Sequence, residues 1–322
     1  MNVGVIGSGF IVPVFISETR RYKKDYHLRA IWGRHTDKLI KFASDFDYVT
    51  TDIEEMLNDE LIDVVYIALP NGLHYEYALS ALKHNKHVIL EKPFTVKYKE
   101  AKKLIDLAKK KKLIIFEAIT TQHNPNYLKT KKLLDKIGDI KIVNANFSQY
   151  SRRYLRFKNK ENVPVFDYKL AGGALLDLNV YNIRFVCGLF GKPKKVQYYP
   201  NIIRNVDTSG VLILDYGSFK VTSIAAKDSS STSSVTIEGD KGYIRCNTTA
   251  SRCGNFTFKL NDKDPVNYGN EDSEFAGWKY ELKEFRDIYR KKDLKKADEL
   301  NAITLLEIDI IEKAIKSANL KY

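Results

Sequence analysis

The chain has 322 residues, 44% apolar and 12% aromatic, which is enough for two domains with buried cores and unlike the composition of a disordered protein. Its net charge of +13 comes mainly from lysines scattered along helical stretches such as "YKEAKKLIDLAKKKKL" (98–113). With no RNP motif, zinc-finger spacing or aromatic-basic repeat, that excess reads as a solvated surface rather than a nucleic-acid platform. Cys187, Cys246 and Cys253 form no CxxC or Cys/His pattern, so no metal site is expected and a reducing compartment suits them. No apolar run reaches the roughly 18 residues of a membrane span. The opening "MNVGVIGSGF" enters a strand at once, leaving no room for a signal peptide, so a cytoplasmic protein is expected, with neither a membrane nor nucleic acid as partner.

The first predicted strand is "NVGVIG" (2–7), an apolar run ending in glycine. Gly7, Ser8 and Gly9 follow, and Phe10 and Ile11 lead into a helical turn. Glycine permits the tight turn, and a second glycine lets main-chain N–H groups approach a pyrophosphate at a helix N-terminus. The third glycine of GxGxxG is Val12, so the match is partial, but its place after a first strand points to a dinucleotide. "HLRAIWG" (27–33) is the second strand. An NAD-preferring site carries a carboxylate at its end to bind the ribose 2′-OH, about 20 residues on. Here that place holds Gly33 and Arg34. Arginine can stack on adenine and pair with a 2′-phosphate, so NADP is favoured, with NAD possible.

"LIDVVYIALP" (61–70) reads as a strand buried on both faces. At its carboxyl edge Leu69, Pro70 and Asn71 suit a turn that exposes main-chain groups to the cofactor. His74 opens the next helix at the same cofactor-binding edge, with packing rather than catalysis as its expected role. "KHVILEK" (86–92) and "LIIFEA" (113–118) are further strands, with "HTDKLIKFASDF" and "HYEYALSALKHN" as intervening amphipathic stretches. Strands alternating with helices mean βαβ units and a parallel sheet. Glu91 and Lys92 lie at the cofactor edge too, with Pro93 halting the ladder. Beside a nicotinamide, Lys92 becomes a candidate ammonium for holding and polarising a substrate hydroxyl.

After about residue 120 the pattern changes to strands at 140–153, 194–202, 210–226, 234–246 and 255–260, with "DYGS" and "EGDKG" as hairpin signals. Helical stretches at about 274–291 and 298–317 close the chain. The expected fold class is α/β plus α+β. Residues 1–120 form an N-terminal Rossmann domain with a doubly wound parallel sheet. Residues 121–322 are expected to form a second domain with an open, mostly antiparallel sheet. Within the second domain, "AGGALLDLNVYNIRF" (171–185) sets Asp177 and Tyr181 four residues apart on one helix face, after Gly172 and Gly173. Gly191 and Pro193 mark the end of that helix. The cation-rich stretch 151–169 just before it is read as a solvated basic loop, with cleft gating or contact with an anionic substrate as the other reading.

Taken together, Gly7-Ser8-Gly9, "PNGLH", "NKHVILEKP" and "AGGALLDLNVY" resemble, in order and spacing, the glucose–fructose oxidoreductase / inositol dehydrogenase / rhizopine catabolism (Gfo/Idh/MocA) family, as does the closing "KSANL". The resemblance covers nearly the whole chain. It implies that Lys92 and Asp177 match the family's EKP lysine and the acid of its "D.G.H" helix. Tyr181 stands where many members have His and a subgroup resembling dihydrodiol dehydrogenase has Tyr. "FEAITTQHNP" (116–125) resembles that subgroup's "EAIWTRF.P", with Thr120 in place of Trp and Gln122 in place of Arg. Asn179 replaces the usual Gly and is expected to add bulk close to the site.

The implied activity is an NAD(P)-dependent oxidoreductase acting on a secondary alcohol of a sugar, cyclic polyol or dihydrodiol, in a homodimer or higher homo-oligomer. A free phenol has a pKa near 10, and a neighbouring ammonium and the nicotinamide charge would favour its phenolate. Tyr181 would then transfer the alcohol proton, Lys92 would orient the hydroxyl, and Asp177 would bind a second substrate hydroxyl or Lys92 itself. Two other classes are a non-catalytic dinucleotide-sensing regulatory protein and an NAD-assisted glycosidase that recycles its cofactor.

Overall fold

The structure is a computed structural model that describes residues 1–269 and 276–322. The described residues form two compact units, Met1–Ala118 with Leu282–Ala302 and Ile119–Glu281 with Ile303–Tyr322. They differ from the expected division at 120/121 in that Ile119 and Thr120 group with the second unit and Leu282–Ala302 returns to the first. Side chains account for this return. Phe285 stacks on Phe116 with ring centroids 4.3 Å apart, the Tyr26 hydroxyl donates to the Leu282 carbonyl, and Arg286 pairs with Asp25 at 3.0 Å.

In the first unit six parallel strands are β1 (Asn2–Ile6), β2 (His27–Trp32), β3 (Tyr48–Thr50), β4 (Val64–Ile67), β5 (His87–Glu91) and β6 (Ile115–Ala118). Their order, β3-β2-β1-β4-β5-β6, is that of a doubly wound Rossmann sheet, as expected. The strand order reverses between β1 and β4, and such sheets bind ligands outside the carboxyl ends at that point. The helices are α1 (Val12–Thr19), α2 (Thr36–Leu39), α3 (Ile53–Asn58), α4 (His74–Lys83) and α5 (Tyr98–Lys111). The sequence reading missed β3, of whose three residues only Thr50 is buried, so that no alternation is visible.

The second unit holds α6 (Pro125–Leu133), β7 (Ile140–Ser148), α7 (Tyr154–Lys158) and α8 (Val180–Phe190), the last entered through one π-helical turn, Leu175–Asn179. Seven further strands follow: β8 (Lys195–Ile203), β9 (Val206–Asp215), β10 (Lys220–Ala226), β11 (Ser234–Gly239), β12 (Gly242–Cys246), β13 (Phe256–Leu260) and β14 (Val266–Tyr268). The sheet order is β14-β13-β12-β11-β7-β10-β9-β8, and only the β7–β10 pair is parallel. Alternation gives the sheet one covered face. Val143, Ala145 and Phe147 of β7 and Val221, Ser223 and Ala225 of β10 are buried, whereas Ile142 and Tyr199 are exposed on the other face.

Helices α9 (Ala276–Lys291) and α10 (Leu294–Ser317) close the chain. Residues 274 and 275 of the expected helix lie outside the described residues. The cysteine reading needs one addition. Cys246 and Cys253 share a thiol hydrogen bond, which lowers the Cys246 thiol to about 7 and raises that of Cys253.

Candidate active site

The glycine turn is built by close packing. Gly7 has φ +116°, and its N–H donates to the Trp32 carbonyl at 2.9 Å. A Cβ at Gly7 would lie closer than 3.0 Å to the Ala68 carbonyl oxygen, whereas one at Gly9 would find its nearest atom at 4.0 Å. Gly7 therefore lets the chain turn, and Gly9 leaves open space over the main chain. Helix α1 begins directly after it with Ile11 at the cap position and no side-chain cap bond. Phe10 is 72% exposed, Ser8 and Ile11 are half-buried, and Val12 is fully buried where the third glycine would be. An uncapped helix start beside an open glycine is a cradle that fits a pyrophosphate. Arg34 stands exposed just past β2, where its charge partly offsets the burial and the Glu76 charge that raise the pKa of Tyr77.

At the ends of β4 and β5 two turns are clasped together. His74 is 1% exposed, with Nδ1 2.8 Å from the Pro93 carbonyl and Nε2 2.9 Å from the Leu69 carbonyl. Burial pushes its pKa down despite these two acceptors, and the Lys92 charge pushes the same way. The imidazole thus ties Leu69 to the segment after Lys92, the packing role expected of it. Glu91 also turns inward: its carboxylate accepts from the Tyr66 hydroxyl at 2.7 Å, and Tyr66 stacks on Phe15 of α1. Pro70, Asn71 and Lys92 are half-buried at the same edge.

In the second unit Gly172 and Gly173 allow close packing, as expected. A Cβ on Gly172 would strike the main chain of Pro164 and Val165, and one on Gly173, which has φ +137°, would strike the Asp207 carboxylate. Asp207 accepts from Leu175 N at 2.7 Å and from the hydroxyls of Tyr198 and Tyr322. Burial raises its pKa against those hydrogen bonds. From Ala171 to Cys187 every residue is buried except Asp177 and Tyr181. The Tyr181 ring packs on Phe147, Ala174, Leu178 and Ala225. Asp177 pairs with Lys227 at 2.6 Å.

With this geometry the chain can be set beside known proteins. The family model GFO_IDH_MocA, an oxidoreductase family with an NAD-binding Rossmann fold, matches residues 1–119, and the GFO/IDH/MocA C-terminal domain matches residues 127–245. The chain belongs to this family. It is 32% identical over 325 residues to the scyllo-inositol 2-dehydrogenase (NADP(+)) IolU of Bacillus subtilis, covering 100% of this chain and 98% of that protein. It is 27% identical to the trans-1,2-dihydrobenzene-1,2-diol dehydrogenase of Sus scrofa, over 99% of this chain and 97% of that one. Among solved structures, KijD10, a 3-ketoreductase from Actinomadura kijaniata in complex with NADP and TDP-benzene, superposes with a TM-score of 0.82. That match has 20% identity and covers 99% of this chain and 98% of that one, a likeness of fold.

Within this family frame three departures prove to be interior residues. Asn179 does not add bulk at an accessible face: it is 0% exposed, and its Oδ1 accepts from Ser223 Oγ at 2.5 Å and from Asn182. Its amide spans the gap between the helix and β10, where glycine would leave a void. Gln122 is likewise buried and accepts from Arg184, which pairs with Glu307 at 2.5 Å, both 0% exposed. Thr120 donates to the Ser251 carbonyl at 2.8 Å. Lys227 escaped the sequence reading, because a lysine ending a strand before "DSSS" looks like surface.

Proposed function

We propose that this oxidoreductase prefers NADP and moves hydride between the nicotinamide and a secondary alcohol of a sugar, cyclic polyol or dihydrodiol. The observation that carries this reading is the buried stretch 171–187, the glycine turn and the helix it leads into, whose two half-exposed side chains are a carboxylate and a phenol. The names of the relatives, an NADP(+)-dependent inositol dehydrogenase and a dihydrodiol dehydrogenase, support the substrate class. When bound, NADP supplies the two-electron hydride acceptor. The alcohol's C–H leaves as hydride, and its O–H proton passes to the Tyr181 oxygen, which returns it in the reductive direction. The Lys92 ammonium orients the reacting hydroxyl and stabilises negative charge developing on its oxygen. Asp177 accepts a hydrogen bond from a neighbouring hydroxyl and so fixes the ring.

Cofactor preference is tested at Arg34. Arg34→Ala is expected to weaken NADPH about tenfold or more, the loss of a charge-assisted hydrogen bond, and to change NADH little. Titration followed by energy transfer from protein aromatics to the reduced nicotinamide reads both. Equal losses would overturn the preference. Turnover is tested with scyllo-inositol and NADP, following nicotinamide absorbance. With a glycoside in its place, release of a sugar with no net change in absorbance would replace the dehydrogenase reading.

Self-association belongs on the uncovered sheet face of the second unit. Val211, Ile213 and Ile224 are half-buried there beside exposed Ile142 and Tyr199. Light scattering should give a homodimer or larger, and Tyr199→Glu should reduce it to the monomer mass.

A further inference from the structure

We infer that Lys227 is a positioning residue that fixes the orientation of the Asp177 carboxylate from beneath. Its Nζ donates to Asp177 Oδ2 at 2.6 Å and to the Val165 carbonyl at 3.1 Å, and lies 4.7 Å from the centre of the Phe166 ring. Two hydrogen bonds and one cation–π contact thus surround the ammonium. The pair is asymmetric: the Lys227 side chain is 3% exposed and that of Asp177 is 32%. The cation is thus the anchor and the carboxylate is the group presented.

The anchor is itself immobilised. Lys227 N donates to the Thr208 carbonyl in β9, and its carbonyl accepts from Ser151 N. Phe166 belongs to an apolar cluster with Tyr154, Phe157, Val163 and Val206, so the lysine stem runs through a packed wall. Asp207 also feels the ammonium, while Asp228, next in the chain, is held by the Thr208 and Ser209 hydroxyls. Asp207 of β9 grips Leu175 N and Lys227, just past β10, grips Asp177, so two side chains hold one π-helical turn.

A buried ion pair is a poor device for stability, since apolar residues of similar volume serve equally well or better. Its usefulness here is directional. Asp177 has two rotatable side-chain bonds, and a fixed partner restricts both. A short bond from a fixed, buried cation selects one rotamer and keeps the carboxylate an acceptor. Lys227 therefore acts on a substrate hydroxyl through Asp177, a statement that rests on the alcohol-oxidoreductase reading above.

A double-mutant cycle on the full chain tests this, using Lys227→Met, Asp177→Asn and the double variant, with Lys227→Arg as the conservative exchange. For scyllo-inositol with saturating NADP, Lys227→Met should raise KM about tenfold or more while leaving NADPH affinity unchanged. In the Asp177→Asn background the same exchange should add no further loss, and Lys227→Arg should recover most of the KM. Additive losses in the double variant, or a changed kcat with an unchanged KM, would overturn the positioning role. Thermal melting supplies a readout independent of turnover. The double variant should melt above the temperature expected from adding the two single losses, because it removes a buried charge together with its partner. Additive melting shifts would overturn the coupling. If scyllo-inositol is not turned over but the melts are coupled, the function reading fails, and with it the substrate role of Lys227, while its hold on Asp177 stands.

Discussion

Tyr181→Phe is expected to lower kcat by roughly two or more orders of magnitude while NADPH affinity and the melting temperature stay near those of the parent chain. The exchange isolates one atom. The Tyr181 ring packs in a tilted arrangement on Phe147 with centroids 6.0 Å apart, and against Ala174, Leu178 and Ala225. Phenylalanine keeps all of those contacts, so a loss of turnover reports the hydroxyl and not the fold. The size of the effect follows from the role: without a proton acceptor the alcohol must lose its proton to water as hydride departs. Steady-state kinetics in both directions, beside an NADPH titration, decides the matter. Near-normal turnover would remove Tyr181 from proton transfer. Asp177 would not then inherit the role, since its carboxylate is engaged by Lys227.

What was legible in the sequence was what neighbouring residues alone determine. The Gly7-Ser8-Gly9 turn could be read because backbone freedom at a strand end is local, and the four-residue spacing of Asp177 and Tyr181 because helical phase is local. Both describe the structure: between Ala171 and Cys187 these two are the half-exposed residues. What was not legible depends on partners distant in the chain. Lys227 lies 50 residues from Asp177, and its burial is created by Val165 and Phe166. Asn179 read as bulk at the site because its spacing from Asp177 gives no hint that Ser223 lies opposite. The return of Leu282–Ala302 to the first unit was invisible for the same reason. An amphipathic helix shows that it has a buried face but not what covers it. His74 was placed correctly in kind, as a packing residue, but the two carbonyls it holds come from turns 5 and 19 residues away.

The two turn glycines are expected to separate under the same substitution. Gly7→Ala should destabilise the first unit by roughly 2–4 kcal/mol, combining the strain of an alanine at positive φ with a steric clash. At φ +116° no L-residue is comfortable, and the new methyl would press on the Ala68 carbonyl at the end of β4. Relief requires β1 and β4 to part at the point where the strand order reverses, so NADPH binding should be lost along with stability. Gly9→Ala meets no such obstacle, since its methyl would find nothing nearer than 4.0 Å. That variant should melt like the parent chain. Its methyl would nevertheless occupy the open space through which a pyrophosphate reaches the N–H groups at the start of α1, and NADPH affinity should fall about tenfold or more. Denaturant unfolding and NADPH titration of both variants distinguish the roles. A Gly9→Ala protein that binds NADPH as tightly as the parent would show that the phosphates do not approach this turn, and the cradle assigned to Gly7, Ser8 and Gly9 would have to be moved. A Gly9→Ala protein that unfolds as readily as Gly7→Ala would instead mean that the turn is held by contacts on both glycines and that its weak binding reports the fold. The expected pattern, one variant unstable and the other stable but unable to bind, assigns the first glycine to the chain's turn and the second to the ligand's approach.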